Sequence, residues 1–143
     1  MRVLFDTNII IDVLLNREPF ATDSVKAMNL AEAREIESYL CATTVTTIYY
    51  LVARHYDKSH AIEKIATLLK IFDVAPVNYL AIDRAVGSKF SDFEDAVLYE
   101  SAMLVDADAM VTRNTKDFKA AKLTIYTLDE LLATFTINKP EMD

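Results

Sequence analysis

The sequence predicts an α/β domain with a mostly parallel central sheet and helices on both faces of that sheet. Short apolar runs alternate with longer stretches of helical periodicity along the chain, as strands and crossover helices do in parallel sheets. The 143 residues suit a single domain over 1–143, and a hydrophobic content of 52% is enough to build a core. One glycine and three prolines leave few sites for hairpin turns, which disfavours an all-β fold. We expect a loose C-terminal tail from about residue 136.

The chain is predicted to begin with a buried strand followed by two helices. The apolar run over 3–5 ends at Asp6 and is predicted as the strand. Residues 9–15 are predicted as a helix that Asp6 or Thr7 caps, since both residue types favour that position. Apolar residues recur at helical spacing over 22–34, which predicts the second helix.

The middle of the chain is predicted as a strand over 37–42 and two helices. Residues 43–56 carry conflicting signals, because the four threonines near their start favour a strand. The spacing of the apolar residues and the basic end at Arg54 and His55 favour a helix, which is our prediction. The stretch 59–72 has one clearly apolar side and is predicted as an amphipathic helix.

A short strand over 73–77 and a helix over 78–86 are predicted next. The helix over 91–105 has the clearest start in the chain. Its Ser91 is followed three residues later by Glu94, which fits the reciprocal capping-box pattern.

The last elements are predicted as strands over 109–112 and 123–126, followed by a helix over 127–133. Between these two strands, Asn114 is predicted to cap a short helical turn in which Asp117 is the third residue.

Charge, glycine and cysteine content exclude several classes of protein. The 22 acidic and 15 basic side chains give a net charge of -7, which argues against simple electrostatic adhesion to nucleic acid. One glycine cannot supply the glycine-rich loops that bind dinucleotides or nucleoside triphosphates. Cys41 is the single cysteine, which excludes an internal disulfide, and no histidine or cysteine cluster surrounds it, which excludes a structural zinc site. No apolar run reaches the ~18 residues of a membrane span, so we expect a cytoplasmic protein without membrane contact.

Acidic side chains lie where predicted strands or loops pass into helices. Asp6 follows the first strand, Asp92 and Asp95 lie at the start of the helix over 91–105, and Asp117 follows the fourth strand. Each of them alone could serve only as a cap or as a partner of a helix dipole. Because the carboxyl ends of parallel strands meet at one edge of a sheet, we expect these residues to converge on one acidic pocket.

A divalent cation would suit such a pocket. Asp92 and Asp95 are three residues apart on one side of a helix, and a shared cation would remove their repulsion. Carboxylate oxygens are hard ligands that favour Mg²⁺ or Mn²⁺. A cation held there would lower the pKa of bound water and neutralise phosphate, which predicts phosphodiester hydrolysis. Neither His55 nor His60 has a nucleophile partner in the sequence, so a hydrolytic triad has no support.

Several short motifs together resemble the PIN domain family, in particular the small bacterial VapC-type toxins. They are Asp6-Thr7-Asn8 after the first strand, Asp95-Ala96 in a late helix, and the run 111–114 followed by Asp117-Phe118. The Asp-Phe-Glu-Asp-Ala run over 92–96 resembles one subgroup of the family. The resemblance implies a three-layer α/β/α fold and an Mg²⁺- or Mn²⁺-dependent endoribonuclease that acts on RNA. It also implies the toxin of a toxin-antitoxin pair, a cognate antitoxin partner and a homodimer.

The resemblance, extending from Arg2 to about Leu132, also implies roles for individual residues. Asp6 and Asp95 match acidic positions that hold the metal, and Asp92 and Asp117 are candidates to assist them directly or through water. The candidates for orienting these acids or contacting substrate are Asn8, Thr112, Arg113 and Asn114. For Arg113, contact with the scissile phosphate and a structural salt bridge stay open as alternatives.

Two positions depart from the family pattern. The family commonly has a glutamate in the helix after the second strand, but residues 42–56 contain no acid, and Thr46, Thr47 or Tyr49 falls near that position. The family often has aspartate where this chain has Asn114. Asp92 is the candidate to replace the missing glutamate, and Asp117 is the candidate to replace the aspartate that the family often has in place of Asn114. These departures favour a site for one metal ion over a site for two.

Other functions stay open at this point. The missing acid motivates a non-catalytic PIN-like module that binds RNA or protein. An aspartate phosphotransferase with Asp6 as nucleophile ranks last, because Asn8 stands where haloacid-dehalogenase-type enzymes have a second aspartate. The residues Tyr49, Tyr50, Tyr56 and Tyr99 could stack on bases, although tyrosines at helical spacing more often belong to a core or an interface.

Overall fold

The structure is a computed structural model that describes residues 1–138. The strands are β1 (Arg2–Phe5), β2 (Glu37–Cys41), β3 (Asp73–Ala75), β4 (Ala109–Val111) and β5 (Thr124–Tyr126). The helices are α1 (Thr7–Leu14), α2 (Phe20–Glu32), α3 (Ala42–His55), α4 (Lys58–Ile71), α5 (Tyr79–Val86), α6 (Phe93–Leu104) and α7 (Leu128–Asn138). A single 3₁₀ turn, Thr115–Phe118, lies between β4 and β5.

The five strands form one sheet in the order β3-β2-β1-β4-β5, and all neighbouring pairs are parallel. The strand β1 is central, with Val3 opposite both Ser38 of β2 and Ala109 of β4. The order runs outward from β1 in both directions, so the carboxyl ends of all five strands lie along one edge.

Helices cover both faces of this sheet, as the alternation of β1 side chains shows. Val3 and Phe5 are buried in a cluster with residues of α1, α2, α3, α4 and α7. Leu4 points to the other face and is buried with residues of α5 and α6. The predicted three-layer α/β/α architecture with a parallel sheet is therefore confirmed.

All predicted strands and helices are present, and the ambiguous segment after β2 is a helix. The threonines fit α3 because Thr46 and Thr47 donate their hydroxyl hydrogens to the carbonyl oxygen of Thr43, both at 3.0 Å. Buried residues of α3 such as Ile48 and Val52 pack into the core, which outweighs the strand preference of the threonines.

The predicted capping box at Ser91 and Glu94 is wrong. The N-cap of α6 is Asp92, whose carboxylate accepts the N–H of Asp95 at 2.9 Å. Asp92 therefore precedes the first turn of α6 and does not belong to it. Aspartate is as good an N-cap as serine, and its carboxylate also gains from the positive end of the helix dipole.

A reciprocal capping box occurs instead at the start of α7. The N–H of Thr127 donates to Glu130 Oε1 at 3.0 Å, and the N–H of Glu130 donates to Thr127 Oγ1 at 3.1 Å. The helix extends to Asn138, beyond the predicted end at residue 133. The predicted tail falls from residue 139 onward outside the described residues.

Within residues 1–138, none of the helices combines the length and the apolar character that a membrane span requires.

Candidate active site

Asp6 lies at the carboxyl end of β1, where the central strand passes into α1. Its backbone N–H donates to the carbonyl oxygen of Val111 at 3.0 Å, which extends the pairing of β1 with β4 by one residue. Its side chain is buried, with 7% of the residue exposed. Thr112, which is fully buried, donates its hydroxyl hydrogen to Asp6 Oδ2 at 2.6 Å. The end of β4 therefore fixes the orientation of this carboxylate.

The pKa of the Asp6 carboxyl is raised above its ordinary value, chiefly because burial removes water from the carboxylate. The hydrogen bonds from Thr112 and from the N–H of Thr7 oppose this shift, and the charge of Arg113 does so weakly. The negative charge of Asp117 adds to the rise.

Asp95 lies in the first turn of α6 and faces the same region. Its pKa is raised to about 7, first by burial and then by the negative charges of Asp92, Asp6, Asp117 and Glu94, in that order. The negative charges that raise the pKa of Asp95 therefore come from three chain segments: the end of β1, the start of α6 and the turn after β4. A cation bound among them would lower the pKa of Asp95 again.

A cavity of about 510 Å³ opens at this edge of the sheet. Asp6, Asp95 and Asp117 line it together with Asn8 and Asn114, so residues from the ends of β1 and β4 and the start of α6 share one wall. The rest of the wall combines apolar side chains of α1, α3, α5 and α6 with Thr7, Arg17, Thr43, Thr47 and Glu94. Asp92 is not part of the wall, and its carboxylate is engaged as the cap of α6.

Asn8 supplies an oxygen without a partner. Its Oδ1 atom is buried and accepts no hydrogen bond from any of the described residues. An unsatisfied buried amide oxygen costs about 1–3 kcal/mol unless a ligand engages it. A cation or its bound water would do so, and amide and carboxylate oxygens are ligands that Mg²⁺ and Mn²⁺ accept.

The donor set therefore fits a divalent cation held by few protein ligands. Among residues 1–138, no group of three or more Asp, Glu, His or Cys side chains is arranged to hold a metal ion by itself. Mg²⁺ characteristically takes one or two carboxylates and completes its shell with water and phosphate. Asp6 and Asp95 with the Asn8 oxygen match that requirement, and Asp117 lies on the same wall.

The helix α3, which contains no acidic residue, presents hydroxyl groups to the cavity. Thr43 and Thr47 of α3 line the wall, with Leu51 one turn further on. Thr44 is buried, and its Oγ1 atom lies 2.7 Å from Thr7 Oγ1 in a hydrogen bond that joins α3 to α1. The predicted positions Thr46 and Tyr49 are not on this wall.

Arg113 points away from the cavity wall. Its Nε atom lies 2.8 Å from Oδ2 of the fully buried Asp12, and its guanidinium carbon lies 4.1 Å above the ring centroid of Phe20. The N–H is not aimed at the oxygen, so the contact is an ion pair without a good hydrogen bond. Of the two alternatives for Arg113, this geometry matches the structural salt bridge.

The prediction from sequence missed Arg17, which follows α1 and lines the cavity. It is exposed, and within residues 1–138 its guanidinium forms no ion pair closer than 4.0 Å. Among the residues of the described chain that line the cavity, Arg17 is the one cation. The available signal was its place in the loop that ends the helix carrying Asp6 and Asn8.

The chain belongs to the PIN domain family, because its residues 2–116 match the model of that family. This confirms the family that the motifs at Asp6, Asp95 and Asn114 resemble. Over 134 residues the chain is 25% identical to Ribonuclease VapC1 of Aquifex aeolicus (strain VF5), covering 90% of this chain and 92% of that protein.

Solved structures share the fold. A toxin-antitoxin complex from Klebsiella pneumoniae superimposes with a TM-score of 0.68 at 22% identity, covering 88% of this chain and 97% of that one. VapBC2 from Rickettsia felis, bound to a DNA fragment from its promoter, gives a TM-score of 0.67 at 15% identity, covering 89% of this chain and 98% of that one.

Proposed function

We propose that the protein is an Mg²⁺- or Mn²⁺-dependent endoribonuclease that hydrolyses phosphodiester bonds in RNA, and that it is the toxin of a toxin-antitoxin pair. The observation that carries the proposal is the meeting of Asp6, Asp95 and Asp117 on one cavity wall, where their mutual repulsion leaves a place for a cation. Similarity to Ribonuclease VapC1 over most of both chains supports the same reaction class.

The residues that would hold the cation are Asp6 and Asp95, with Asn8 and Asp117 beside them. When bound, such a cation lowers the pKa of a water molecule and neutralises charge on the phosphate. Thr112 keeps the Asp6 carboxylate in one orientation. Asp92 caps α6 and so fixes the turn from which Asp95 projects.

The cavity wall also accounts for how an acidic protein could accept RNA. Arg17 lies on the wall and is free to pair with a phosphate oxygen next to the scissile bond. Asn114 and Thr47 offer neutral hydrogen-bonding groups to the same ligand. Binding of RNA is expected to be weak without metal, because the remaining wall charges are negative.

The test is cleavage of RNA by the purified protein with Mg²⁺ or Mn²⁺, with chelator, and after Asp6→Asn. We expect chelator and Asp6→Asn each to lower the rate at least about 100-fold. Asp73→Asn is the matched control, because Asp73 is exposed at the amino end of β3, away from the cavity. Equal rates for the wild type and Asp6→Asn would refute the proposal.

A second candidate function is a non-catalytic PIN-like module that binds RNA or protein. The observation in its favour is that α3 contributes Thr43, Thr47 and Leu51 to the cavity where the family commonly has an acid. Calorimetric titration with Mn²⁺ separates the two candidates. Binding that is lost in Asp6→Asn supports the nuclease, and no binding at millimolar metal supports the module.

An antitoxin partner is part of the proposal, supported by the toxin-antitoxin complexes among the structures of the same fold. A basic segment of such a partner would be attracted to the acidic cavity and block it. We also propose a homodimer, for which the exposed side chains of Tyr79 and Val86 on α5 offer an apolar surface. Light scattering on the wild type and on Val86→Glu tests the dimer, which should dissociate in the variant.

A further inference from the structure

A second cavity lies beside the acidic one, along α3. Its volume is about 590 Å³, and its lining residues are Tyr49, Tyr50, Leu51, Ala53, Arg54 and Lys58. Leu51 lines both cavities, so the two adjoin at this side chain. A chain-like ligand that occupies the acidic cavity could continue into the second one.

The charge of the second cavity is opposite to that of the first. Arg54 and Lys58 contribute two positive charges, and the lining includes no acid. Both are exposed, and neither forms an ion pair with any of residues 1–138. Arg54 in the last turn of α3 is favoured by the helix dipole, but Lys58 is the first residue of α4, where the dipole disfavours a cation. The presence of a lysine at position 58 is therefore not explained by a contribution to the stability of α4.

An aromatic face is available next to these cations. Tyr50 is 71% exposed, so most of its side chain is open to solvent. Its ring lies 5.4 Å from that of Tyr49, edge to face, and this contact restricts its orientation. An exposed ring held beside two cations is the arrangement on which unpaired bases stack while their phosphates are neutralised.

We propose that the second cavity binds the nucleotides of a single-stranded RNA that flank the scissile bond. A base stacks on Tyr50, and the adjoining phosphates pair with Arg54 and Lys58. Thr47 in the acidic cavity and Arg54 are seven residues apart in α3, or about 10 Å along the helix axis. That distance is the length of about three stacked nucleotides. This inference rests on the proposed ribonuclease function and specifies its substrate as unpaired RNA longer than a dinucleotide.

The kinetic test compares two substrates that differ in length, a dinucleotide and an unstructured 12-nucleotide RNA. The variants are Tyr50→Ala and the double variant Arg54→Ala/Lys58→Ala. The matched control is Lys64→Ala/Lys70→Ala, which removes two exposed cations of α4 outside both cavities. For each test variant we expect the ratio of kcat/KM for the long substrate to kcat/KM for the dinucleotide to fall about tenfold. The control is expected to keep the wild-type ratio.

A binding measurement tests the surface without catalysis. Fluorescence anisotropy of a labelled 12-nucleotide RNA is measured over a range of salt concentrations with chelator present. On a single strand each lost phosphate contact lowers the slope of log affinity against log salt by about 0.7, so Arg54→Ala/Lys58→Ala should lower it by about 1.4. Tyr50→Ala should weaken binding and leave the slope as in the wild type, since it removes stacking and no charge.

The outcomes separate this inference from the function on which it rests. Weaker binding in the variants, with no cleavage by any form of the protein, would support the surface and refute the nuclease. Wild-type ratios and slopes in the variants would refute the surface and leave the nuclease intact. If Tyr50→Ala converts a dimer into a monomer while RNA binding is unchanged, the second cavity is a contact with another copy of the chain, and the RNA assignment is wrong.

Discussion

Two buried aspartates, one at the N-cap of α1 and one in its second half, differ in what neutralises them. Asp12, within α1, is fully buried and has the Arg113 Nε atom 2.8 Å away. Asp6, the N-cap of α1, receives hydrogen bonds from the Thr112 hydroxyl and from the N–H of Thr7, and the negative charge of Asp117 raises its pKa. The counter-charge of Asp12 is therefore a side chain of the protein, Arg113. The counter-charge of Asp6 would have to come from a ligand bound in the cavity.

Burial raises the pKa of both carboxyl groups, so burial alone does not distinguish them. Arg113 and Arg17 oppose the rise at Asp12. At Asp6 the main opposing contribution is the hydrogen bond from Thr112. A structural aspartate and a candidate metal ligand are therefore distinguished by the groups that contact the carboxylate, and less by how deeply it is buried.

The largest expected effect comes from removing the counter-charge of the structural aspartate. Arg113→Met removes the ion-pair partner of the buried Asp12 and leaves only the weaker influence of Arg17. We expect a loss of about 3 kcal/mol in the free energy of unfolding at pH 7, or about 10 °C in Tm. The pKa of Asp12 rises further in the variant, so the loss stays small while Asp12 is protonated in the folded wild type. It grows as pH rises through the raised folded pKa of Asp12.

Thermal unfolding between pH 4 and pH 8 measures this effect. Lys26→Met is the matched control, because it breaks the exposed pair of Lys26 with Asp23 and should cost less than about 1 kcal/mol at any pH. A loss for Arg113→Met that is constant from pH 4 to pH 8 would mean that the ion pair does not stabilise the fold through charge.

The next effect concerns Asp95, whose pKa of about 7 makes the metal-free protein sensitive to pH. The folded protein keeps a proton that the unfolded chain releases at 3.8, so this contribution to stability is complete below 3.8 and is lost as pH rises through 7. Asp95→Asn removes the titration, and we expect its Tm at pH 8 to exceed that of the metal-free wild type by about 5 °C.

Scanning calorimetry in the presence of chelator, followed by addition of Mn²⁺, checks the prediction for Asp95. Added metal should raise the Tm of the wild type and leave that of Asp95→Asn nearly unchanged. Identical pH profiles for the two proteins in chelator would show that the carboxylates do not repel one another as the cavity geometry implies.

Thr112 connects the candidate ligand Asp6 to the sheet, and its replacement should have an intermediate effect. Thr112→Val keeps the shape but removes the hydroxyl that donates to Asp6 and accepts from the N–H of Asn114. Without that hydrogen bond the pKa of Asp6 rises further, because the bond favours the carboxylate. We expect kcat/KM to fall about tenfold at pH 7, corresponding to about 1.4 kcal/mol, and the acid limb of the pH profile to move upward.

The pH dependence of kcat/KM for Thr112→Val and Thr112→Ser distinguishes positioning from general destabilisation. The serine variant retains the hydroxyl and should restore the position of the acid limb. A valine variant with lower activity and an unshifted profile would argue against an effect through Asp6.

The strands, their parallel arrangement and the edge where the acids meet were predictable from sequence. Val3 to Phe5 form a continuous apolar run that ends in Asp6, and such local patterns reflect burial directly. The position of Asp117 after β4 follows from the same rule, since parallel strands present their carboxyl ends together. The identity of the α6 cap was not predictable, because Ser91 and Asp92 both suit that position and the backbone path decides between them.

The pairing of Asp12 with Arg113 was not predictable either. The two residues are distant in the chain and meet only because α1 packs beside the end of β4. From sequence, Arg113 is equally suited to a phosphate and to a buried acid, and tertiary packing determines which of the two it contacts. For Arg17, the available sequence signal is its place in the loop after α1, and the shape of the cavity brings its side chain to the wall.

Arg17 lies near both aspartates, Asp12 and Asp6, and its replacement should have the smallest of the expected effects. Its charge helps to lower the pKa of Asp12, yet its side chain lines the cavity of Asp6. We expect Arg17→Ala to raise the KM for RNA about fivefold, or about 1 kcal/mol, with kcat little changed, because an exposed cation contributes a single phosphate contact. Arg84→Ala, an exposed arginine of α5 outside the cavity wall, is the control and should retain the wild-type KM. If Arg17→Ala instead lowers Tm with an unchanged KM, then Arg17 acts with Arg113 as a structural counter-charge of Asp12, and the cavity receives no positive charge from the residues that line it.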